Sequence, residues 1–515
     1  MALANFFSRT EEALTEVLFS VEPKLLKAHL EHMFIAIAFN DSSLENDNEQ
    51  NTLELCANLL ARMYPTIGII YLGSSLLGLE KRKDLILQAQ AINPDIEILD
   101  SSSRFLAVIS LSNDVKCLSE NHLYISSESW NLEVTYNKPT TLKGRNYNPI
   151  SAAAAACIAV GIVFRIVFKE FLSKDKLDDS YEDIKLSLLD YSKEFSPSEE
   201  LPEIVFKDLT LVGVGAIGNA VVWCLNHIPK LSGTIYLIDH ELIDLSNLQR
   251  YVLTKQDSVN VSKVKLAKEF LKNKNLKVNT HKKCFGDYVK KNRSSCKFDI
   301  IGISVDNAHD RIAAQAVLPK LIFNSWTAEN GFLGVSRHQF DQPDNACLAC
   351  LYLSTEKKKS YTEEIAELTG IDHRFVAEMV VKETPLNRQL IEEISKNRDY
   401  PLDILLRFEG KNLDSFYRDV ACGSLNISLS KNTSRKETVP LAHQSVLAGV
   451  ILACELIKSA LNITQQKNTV EIRLNVMDNL PDYIRLPRKK TIFPMCICCD
   501  EDYITVYKKK YQKSN

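Results

Sequence analysis

The sequence predicts an α/β protein built from two similar halves, with a mostly helical insertion in the second half. Short apolar runs alternate with helical patterns in the N-terminal part, which is typical of layered α/β folds. A glycine-rich turn joins a strand to a helix near residue 213. Two alanine-rich segments, 148–168 and 439–457, resemble each other and close the two halves, which favours a duplicated domain over two unrelated buried helices.

The N-terminal part contains runs with the length and composition of buried strands. They occupy residues 34–39, 66–73, 96–99, 105–111 and 123–126. Helical stretches such as 53–63 lie between some of them. Because no glycine-rich turn follows the first strand, we do not expect this half to bind a nucleotide itself.

Composition excludes some classes of partner and compartment. A net charge of −3 over 515 residues gives no reason to propose nucleic acid or an anionic membrane as a partner. The 13 cysteines, an odd number without a visible secretion signal, favour a reducing, cytoplasmic location. The apolar run 150–164 is rich in alanine and shorter than the ~20 residues of a membrane span, so it predicts a helix buried between protein layers.

The second half begins with a phosphate-binding pattern. Gly213, Gly215 and Gly218 form G-x-G-x-x-G between the strand 209–212 and a helix. Glycines there permit a tight turn and a close approach of phosphate to backbone N–H groups. The next strand ends at Asp239, placed to bind ribose hydroxyls. A dinucleotide-binding enzyme would show the same features.

The residues after Asp239 favour ATP instead. The segment IDHELIDLSNLQRYVLTKQDSVNVSK resembles the ThiF/MoeB/ubiquitin-activating-enzyme superfamily, in which S-N-L-x-R and then a lysine follow an acidic strand end. The resemblance covers residues 205–350, the closing helix and the C-terminal cysteines. It implies a Rossmann-like adenylation domain with Asp239 on the ribose and with Asn247, Arg250 and Lys263 on the phosphates. It further implies that Asp306 holds Mg²⁺.

The residue types suit this chemistry. Attack of a carboxylate on the α-phosphate requires cations near the phosphates and a carboxylate for the metal, whereas hydride transfer requires neither. The alternative is that Arg250, Lys263 and Lys265 are ordinary solvated surface charges. Arg311 matches an arginine often found beyond the metal-binding aspartate. Tyr251 stands where the family usually has glutamine, and Asn260 where it often has glycine, which leaves the phosphate geometry open.

Two cysteine pairs predict a metal site. Cys347-x-x-Cys350 and Cys496-x-x-Cys499 provide four soft ligands for tetrahedral Zn²⁺, and many members of the superfamily carry such a structural zinc. Reduced core cysteines are the alternative. Because adjacent cysteines rarely both bind one metal, whether Cys496 or Cys498 is the ligand that accompanies Cys499 stays open.

A separate cysteine, Cys422, lies in the sequence FYRDVACGS at the end of the insertion. It resembles the cysteine that forms a thioester in ubiquitin-type activating enzymes, and Arg418 could favour its thiolate. The alternative is a buried structural cysteine. Near the N-terminus, FFSRTEEAL resembles a family segment whose arginine reaches the ATP of a partner domain, so Arg9 is a candidate, with an exposed helix residue as the alternative.

These observations divide the chain into five segments. They are a degenerate, inactive adenylation-like domain (1–170), a linker with some helix (171–204), the active adenylation domain (205–350), the cysteine-bearing insertion (351–439) and the closing helix with the zinc-ligand C-terminus (440–515). The two adenylation-like halves would form an internal pseudo-dimer, with or without further homodimerisation.

The resemblance implies a bacterial ubiquitin-like-protein activating enzyme. It would adenylate the C-terminal carboxylate of a small β-grasp protein, form a thioester on Cys422 and pass the protein to a separate conjugating enzyme. The alternative is a ThiF/MoeB-type adenylyltransferase for a sulfur carrier or a peptide, without the thioester step. The intact set of Asp239, Arg250, Lys263 and Asp306 argues against a third possibility, a regulatory subunit with an inactive site.

Overall fold

The computed structural model divides the chain into two compact units, Met1–Tyr352 together with Val439–Asn515, and Leu353–Thr438. The second unit lies within the insertion expected at 351–439. The residues that the structure describes are 3–18, 23–113, 119–172, 182–291, 297–306, 308–340, 346–352, 361–398, 400–413, 416–417, 439–463, 471–477 and 496–511.

A seven-stranded sheet forms the first half of the larger unit. Its strands are β1 Ile35–Phe39, β2 Thr66–Tyr71, β3 Glu97–Leu99, β4 Phe105–Ser110, β5 Ser119–Glu128, β6 Asn131–Tyr136 and β7 Ile184–Ser187. The order is β3-β2-β1-β4-β5-β6-β7, in which neighbours from β3 to β5 are parallel and β6 and β7 are antiparallel additions. The five runs predicted to be strands are confirmed as β1 to β5.

The segment expected to be a linker contributes to this sheet. Strand β7 falls within 171–204 and pairs with β6, with Leu132 opposite Leu186. Both leucines are buried, so the pairing covers apolar surface at the end of the sheet. The charged residues around β7 obscure this short strand in the sequence, which explains why it is not predicted.

The second half has a sheet of the same topology. Its strands are β8 Ile204–Val212, β9 Leu231–Ile238, β10 Asn275–His281, β11 Ile300–Ile303, β12 Leu321–Thr327, β13 Phe332–His338 and β14 Glu471–Asn475. The order is β10-β9-β8-β11-β12-β13-β14, again with five parallel strands followed by two antiparallel ones. In parallel sheets of this kind, ligands bind at the carboxyl ends of the strands where the order reverses, between β8 and β11.

The helices of the larger unit cover these sheets. They are α1 Phe7–Val17, α2 Pro23–His32, α3 Asp41–Leu44, α4 Asp47–Met63, α5 Leu76–Ile92, α6 Pro149–Val167, α7 Ala216–His227, α8 Lys263–Phe270, α9 Phe285–Lys291, α10 Ala308–Ala316, α15 Ala442–Ala460 and α16 Glu501–Tyr511. The smaller unit has α11 Tyr361–Thr369, α12 His373–Val381, α13 Arg388–Arg398 and α14 Leu402–Leu405 around its own apolar core. The described part of the insertion is helical, as expected.

The two alanine-rich segments are the helices α6 and α15, which pack against each other. Helix α6 is long and apolar enough to cross a membrane, but 94% of its most apolar window is buried inside the protein. The expectation of a buried helix is therefore confirmed. In α15, a Cβ on Gly449 would lie 2.3 Å from the carbonyl oxygen of Ile217, so glycine there permits the close contact with α7.

The two halves differ where the first strand meets the next helix. In the first half, Asn40 caps α3 by accepting a hydrogen bond from Ser43 N at 3.2 Å. Its amide donates to the hydroxyl of Ser112, which follows β4, at 3.3 Å. Asn40 therefore bridges the carboxyl ends of β1 and β4, the position where a parallel sheet of this order would receive a ligand.

Candidate active site

A tight glycine turn follows β8 in the second half. Gly213 has φ +90, a conformation that favours glycine, and a Cβ there would lie 2.8 Å from the carbonyl oxygen of Ser304. The hydroxyl of Ser304 in turn donates to Gly213 O at 2.8 Å. A Cβ on Gly218 would lie 2.4 Å from the same oxygen. These glycines are therefore required by the turn itself.

Gly215 has a different role because it is the N-cap of α7. Among the described residues no side chain caps this helix, so its first N–H groups are not satisfied by a side chain. A Cβ on Gly215 would meet only the ring of Tyr251, with the hydroxyl nearest at 3.4 Å. An uncapped helix N-terminus that follows a tight glycine turn is the arrangement that binds phosphate.

Asp239 follows β9 and faces this turn. One carboxylate oxygen accepts a hydrogen bond from Val214 N at 2.8 Å, and the other accepts from Glu241 N at 2.9 Å. The side chain is half-buried. Both contacts hold the carboxylate beside the glycine turn, at the strand end from which the sequence predicts contact with a ribose.

The segment that precedes Arg250 is a short 3-10 helix, Leu245–Gln249. Asp244 caps it by accepting from Ser246 N at 2.8 Å, and Asn247 Oδ1 accepts from Asp244 N at 3.0 Å. This reciprocal cap fixes the backbone of the S-N-L-x-R motif. The Asn247 amide nitrogen is the group that this cap does not use.

Lys263 is the first residue of α8, and only 4% of its side chain is exposed. Its ammonium donates to the carboxylate of Glu241 and, at 3.0 Å, to the hydroxyl of Tyr251. Burial alone would lower the pKa of Lys263, but the Tyr251 phenol oxygen and the carboxylates of Asp239 and Glu241 outweigh this effect and raise the pKa. Lys263 is thus a buried, permanently charged cation beside the glycine turn, not an ordinary surface lysine.

Tyr251 also belongs to the site, although the sequence indicates only that it replaces the glutamine usual in the family. It is buried, and its ring lies under Lys263, with the ammonium 5.0 Å from the centroid, and beside Arg250 at 5.6 Å. Burial raises the pKa of the Tyr251 phenol, and the negative charge of Asp306 raises it further. The positive charges of Lys263 and Arg250 partly offset this rise. The phenol therefore connects the glycine turn with both cations.

Asp306 is exposed and comes just after β11, at the carboxyl edge of the sheet. Arg311 is buried and does not face solvent. Its guanidinium donates to the carbonyl oxygens of Val305 at 2.5 Å and Ser325 at 2.8 Å, and to Asn324 Oδ1 at 2.5 Å. These bonds tie the Asp306 turn to β12, so Arg311 supports the metal-binding candidate rather than the nucleotide.

Helix α1 from the N-terminus contacts the 3-10 helix Leu245–Gln249 of the second half. Arg9 lies on it with a largely buried side chain that donates to Glu12 at 2.5 Å. The pKa of Asp244 is lowered, chiefly by a hydrogen bond from Ser246 and to a smaller extent by the positive charge of Arg9. Arg9 is therefore placed beside the segment that carries Asn247, at the border of the site.

Four cysteines converge in a separate cluster. The Sγ atoms of Cys347, Cys350, Cys496 and Cys498 all lie within 4.8 Å of one another, and the thiol pairs in hydrogen-bond contact are 3.3–3.7 Å apart. Four thiolates at about 2.3 Å from a tetrahedral Zn²⁺ would be about 3.8 Å apart, so this group could hold zinc.

The cluster corrects one ligand of the sequence prediction. Cys499, the expected partner of Cys496, is exposed, and Cys498 takes its place. The short 3-10 helix Ile497–Cys499 explains the difference, because it turns Cys498 inward and Cys499 outward. The candidate thioester residue Cys422 and its neighbour Arg418 lie outside the described residues.

Two protein-family models and one full-length relative match this chain. The model described as ThiF family matches residues 192–496, and one described as Prokaryotic E2 family C matches residues 38–169. "Uncharacterized protein y4jF" of Sinorhizobium fredii (strain NBRC 101917 / NGR234) is 35% identical, over 100% of this chain and 98% of its own length.

Solved structures of E. coli MccB show a more distant similarity. The structure with MccA-N7isoASN is 18% identical, with a TM-score of 0.35, over 57% of this chain and 67% of that one. The structure with succinimide is 17% identical, with a TM-score of 0.33, over 56% and 66%.

The first family model covers more than half of the chain and spans the glycine turn, Arg250, Lys263, Asp306 and three of the four clustered cysteines. Adenylating enzymes of this family use ATP and Mg²⁺ to activate a substrate carboxylate. The chain belongs to the ThiF family.

Proposed function

We propose that this protein activates a small β-grasp, ubiquitin-like protein. It adenylates the C-terminal carboxylate of that protein, captures it as a thioester on Cys422 and passes it to a conjugating enzyme. The observation that carries the proposal is the uncapped helix start at Gly215, which the hydroxyl of Tyr251 links to the buried cation Lys263. A phosphate chain lying there would meet backbone N–H groups and a fixed positive charge together.

Each residue has a role in the proposed adenylation step. Asp239 holds the ribose, Asn247 and the α7 N-terminus hold the phosphates, and Arg250 and Lys263 stabilise the charge that develops on them. A substrate carboxylate oxygen forms a bond to the α-phosphorus as the bond to pyrophosphate breaks. Mg²⁺, when bound, would neutralise phosphate charge, and the exposed carboxylate of Asp306 is the group that would hold it.

The first half is, in this proposal, an inactive copy of the adenylation domain. Its sheet has the same strand order as the second, and Asn40 caps the helix that follows its first strand, where Gly215 leaves α7 uncapped. Arg9, from the N-terminal helix, is the candidate to reach the nucleotide phosphates. The segment boundaries 1–170, 171–204, 205–350, 351–439 and 440–515 belong to the same proposal.

The match of residues 38–169 to a prokaryotic E2 model raises the question of a conjugating activity within this chain. Thioester transfer requires an accessible thiol. Cys56 and Cys157 in this range are fully buried, and burial raises the pKa of both thiols. Cys117 lies outside the described residues. We therefore propose that the conjugating enzyme is a separate protein.

Zinc at the cysteine cluster has, in this proposal, a structural role.

Pyrophosphate exchange tests the adenylation step. With ATP, Mg²⁺ and the carrier protein, wild-type protein should exchange labelled pyrophosphate into ATP, and Asp306→Ala and Arg250→Ala should each abolish the exchange. Lys265→Ala is the matched control, because Lys265 is exposed on α8 and two residues from Lys263. Exchange at the wild-type rate by Asp306→Ala would show that this carboxylate does not hold the metal.

A thiol-sensitive adduct tests the second step. Wild-type protein with ATP and carrier should form a covalent adduct that reductant cleaves, as thioesters are cleaved and isopeptide bonds are not. Cys422→Ala should lose the adduct and keep pyrophosphate exchange, because adenylation precedes thiol attack. Cys117→Ala and the exposed-cysteine control Cys284→Ala should keep both.

Other outcomes of the adduct experiment assign the chemistry differently. Loss of the adduct in Cys117→Ala would place the acceptor thiol in the first half, within the range of the E2 model. Exchange without any adduct in the wild-type protein would favour the second candidate, an adenylyltransferase for a sulfur carrier or a peptide, and would make Cys422 structural.

A further inference from the structure

An arginine of the first half is buried against the active-site loop of the second half. Arg62 lies near the end of α4 and is 2% exposed. Its Nη1 donates to the carbonyl oxygen of Leu248, and its Nη2 donates to those of Val252 at 3.1 Å and Thr254 at 2.9 Å. Asn58, one turn earlier, accepts from Arg62 Nε at 2.9 Å and donates to Val252 O at 3.1 Å.

This arrangement is costly for the stability of the fold. In the described part of the chain, the hydrogen-bond partners of Arg62 are carbonyls, an amide and a hydroxyl, and none of them is a carboxylate. Burial lowers the pKa of Arg62 to about 9, which reflects the unfavourable transfer of its charge out of water. Apolar residues of similar volume often stabilise such a position better than a buried charge does.

The backbone segment that Arg62 binds gives a reason for a buried arginine at this position. The three carbonyls that it binds belong to Leu248, Val252 and Thr254, and they enclose Arg250 and Tyr251 in the sequence. Among the described residues, the Arg250 side chain contacts the Tyr251 ring and makes a long hydrogen bond of 3.5 Å to Gln249. The position of Arg250 therefore depends on the backbone on either side of it, and the guanidinium of Arg62 fixes that backbone at three points.

We propose that Arg62 is a positioning residue through which the first half organises the nucleotide site of the second. It acts by holding the 248–254 backbone so that the Arg250 guanidinium and the Tyr251 hydroxyl face the glycine turn. This inference rests on the proposed adenylation activity for its kinetic readout. It assigns to the first half a role in catalysis that requires no nucleotide and no thiol in that half.

Two substitutions of Arg62 test the role. Arg62→Met keeps the volume and removes the donors. Arg62→Lys keeps a cation whose single nitrogen cannot span three carbonyls in a planar fork. Each should lower the kcat of pyrophosphate exchange about 100-fold, since a misplacement of about 1 Å has an effect of that size. The control is Arg82→Met, which removes an arginine bond to Ile69 O within the first half at 2.8 Å and should leave kcat unchanged.

A double-mutant cycle separates positioning from general destabilisation. If Arg62 acts through Arg250, then Arg62→Lys should cause little further loss of exchange in an Arg250→Lys background, which keeps a cation and therefore a measurable residual exchange. A purely structural defect would lower the activity of both backgrounds by the same factor. Full additivity, or wild-type exchange by a folded Arg62→Lys protein, would overturn the proposal.

Binding of ATP distinguishes this inference from the proposed function. Calorimetric titration of Mg–ATP needs no carrier protein, so it can be measured even if no exchange is observed. A wild-type protein that binds ATP but never exchanges pyrophosphate would refute adenylation. In that case, weaker ATP binding by Arg62→Lys that is non-additive with Arg250→Ala would still support positioning, and unchanged binding would refute it.

Discussion

At the scale of the residue, two lysines of one helix show how position decides chemistry. Lys263 and Lys265 are two residues apart on α8, yet the first is buried beside the glycine turn and the second is exposed. Burial of an ammonium is unfavourable unless anions and hydrogen bonds compensate it, and Glu241 with Tyr251 provides both. The raised pKa of Lys263 keeps it charged throughout the pH range in which proteins are assayed.

We expect Lys263→Met to reduce pyrophosphate exchange by about 10²–10³-fold, because the substitution removes a preorganised charge from a water-poor site. Lys265→Met should exchange at close to the wild-type rate. Steady-state exchange with both variants, at saturating ATP, measures the difference. Equal losses in the two variants would mean that general charge, rather than the buried position, matters.

The sequence predicts residues of this site whose signal is local. The glycines, Asp239 and Lys263 belong to a continuous pattern, and the structure places them around one turn. Tyr251 could be identified only as a departure from that pattern, since its contacts with Gly215 and Lys263 come from the fold. Arg62 could not be identified, because its partners lie about 190 residues away and a single arginine in a helix carries no pattern.

At the scale of the element, the contact between α6 and α15 contains a buried histidine whose ring makes no hydrogen bond to any described residue. His443 in α15 is fully buried beside Phe164, with ring centroids 5.7 Å apart. Neither ring nitrogen has a hydrogen-bond partner within the described ranges. Burial lowers the pKa of His443 to about 3. Between about pH 6.5 and 3, His443 is therefore protonated in the unfolded chain but neutral in the folded one. The folded protein loses stability as the pH falls through that window, because the proton binds preferentially to the unfolded chain.

We expect His443→Leu to stabilise the protein by about 1 kcal/mol at pH 7, because it replaces an unpaired buried polar group with an apolar one. The gain should increase at pH 5. Calorimetric melting temperatures at both pH values measure it.

His338 provides the contrast for this prediction. It is equally buried, and burial lowers its pKa to about 4, but its ring nitrogens bond to Ala346 O at 2.9 Å and Ser336 Oγ at 2.8 Å. His338→Leu should therefore lower the melting temperature at pH 7. A similar decrease in His443→Leu would contradict the interpretation of the α6–α15 contact.

At the scale of the whole molecule, the cysteine cluster joins distant parts of the chain. Cys347 and Cys350 come shortly before the insertion, whereas Cys496 and Cys498 come near the C-terminus. The spacing of the cysteines predicts such a group but cannot choose between adjacent ligands, because that choice depends on the turn made by residues 497–499. The order of the fourteen strands among the described residues likewise follows from tertiary packing, and the sequence indicates only that two similar halves exist.

We expect purified protein to contain about one Zn²⁺ per chain. Cys350→Ser and Cys498→Ser should lose the metal and melt at a lower temperature, because metal binding is coupled to folding. Cys499→Ser is the matched control and should keep both. Elemental analysis with thermal denaturation checks this, and loss of zinc from Cys499→Ser alone would restore the ligand set first expected from the sequence.

The interrupted second sheet has a consequence for the order in which the chain folds during translation. All seven strands of the first sheet, β1 to β7, are complete by Ser187, so this half can fold while the remainder is still on the ribosome. The second sheet must wait, because β14 begins at Glu471 and pairs with β13, which ends at His338. Helix α15 is also synthesised only after the insertion. The nascent nucleotide site therefore emerges beside a first half whose sheet can already have formed and can present Arg62.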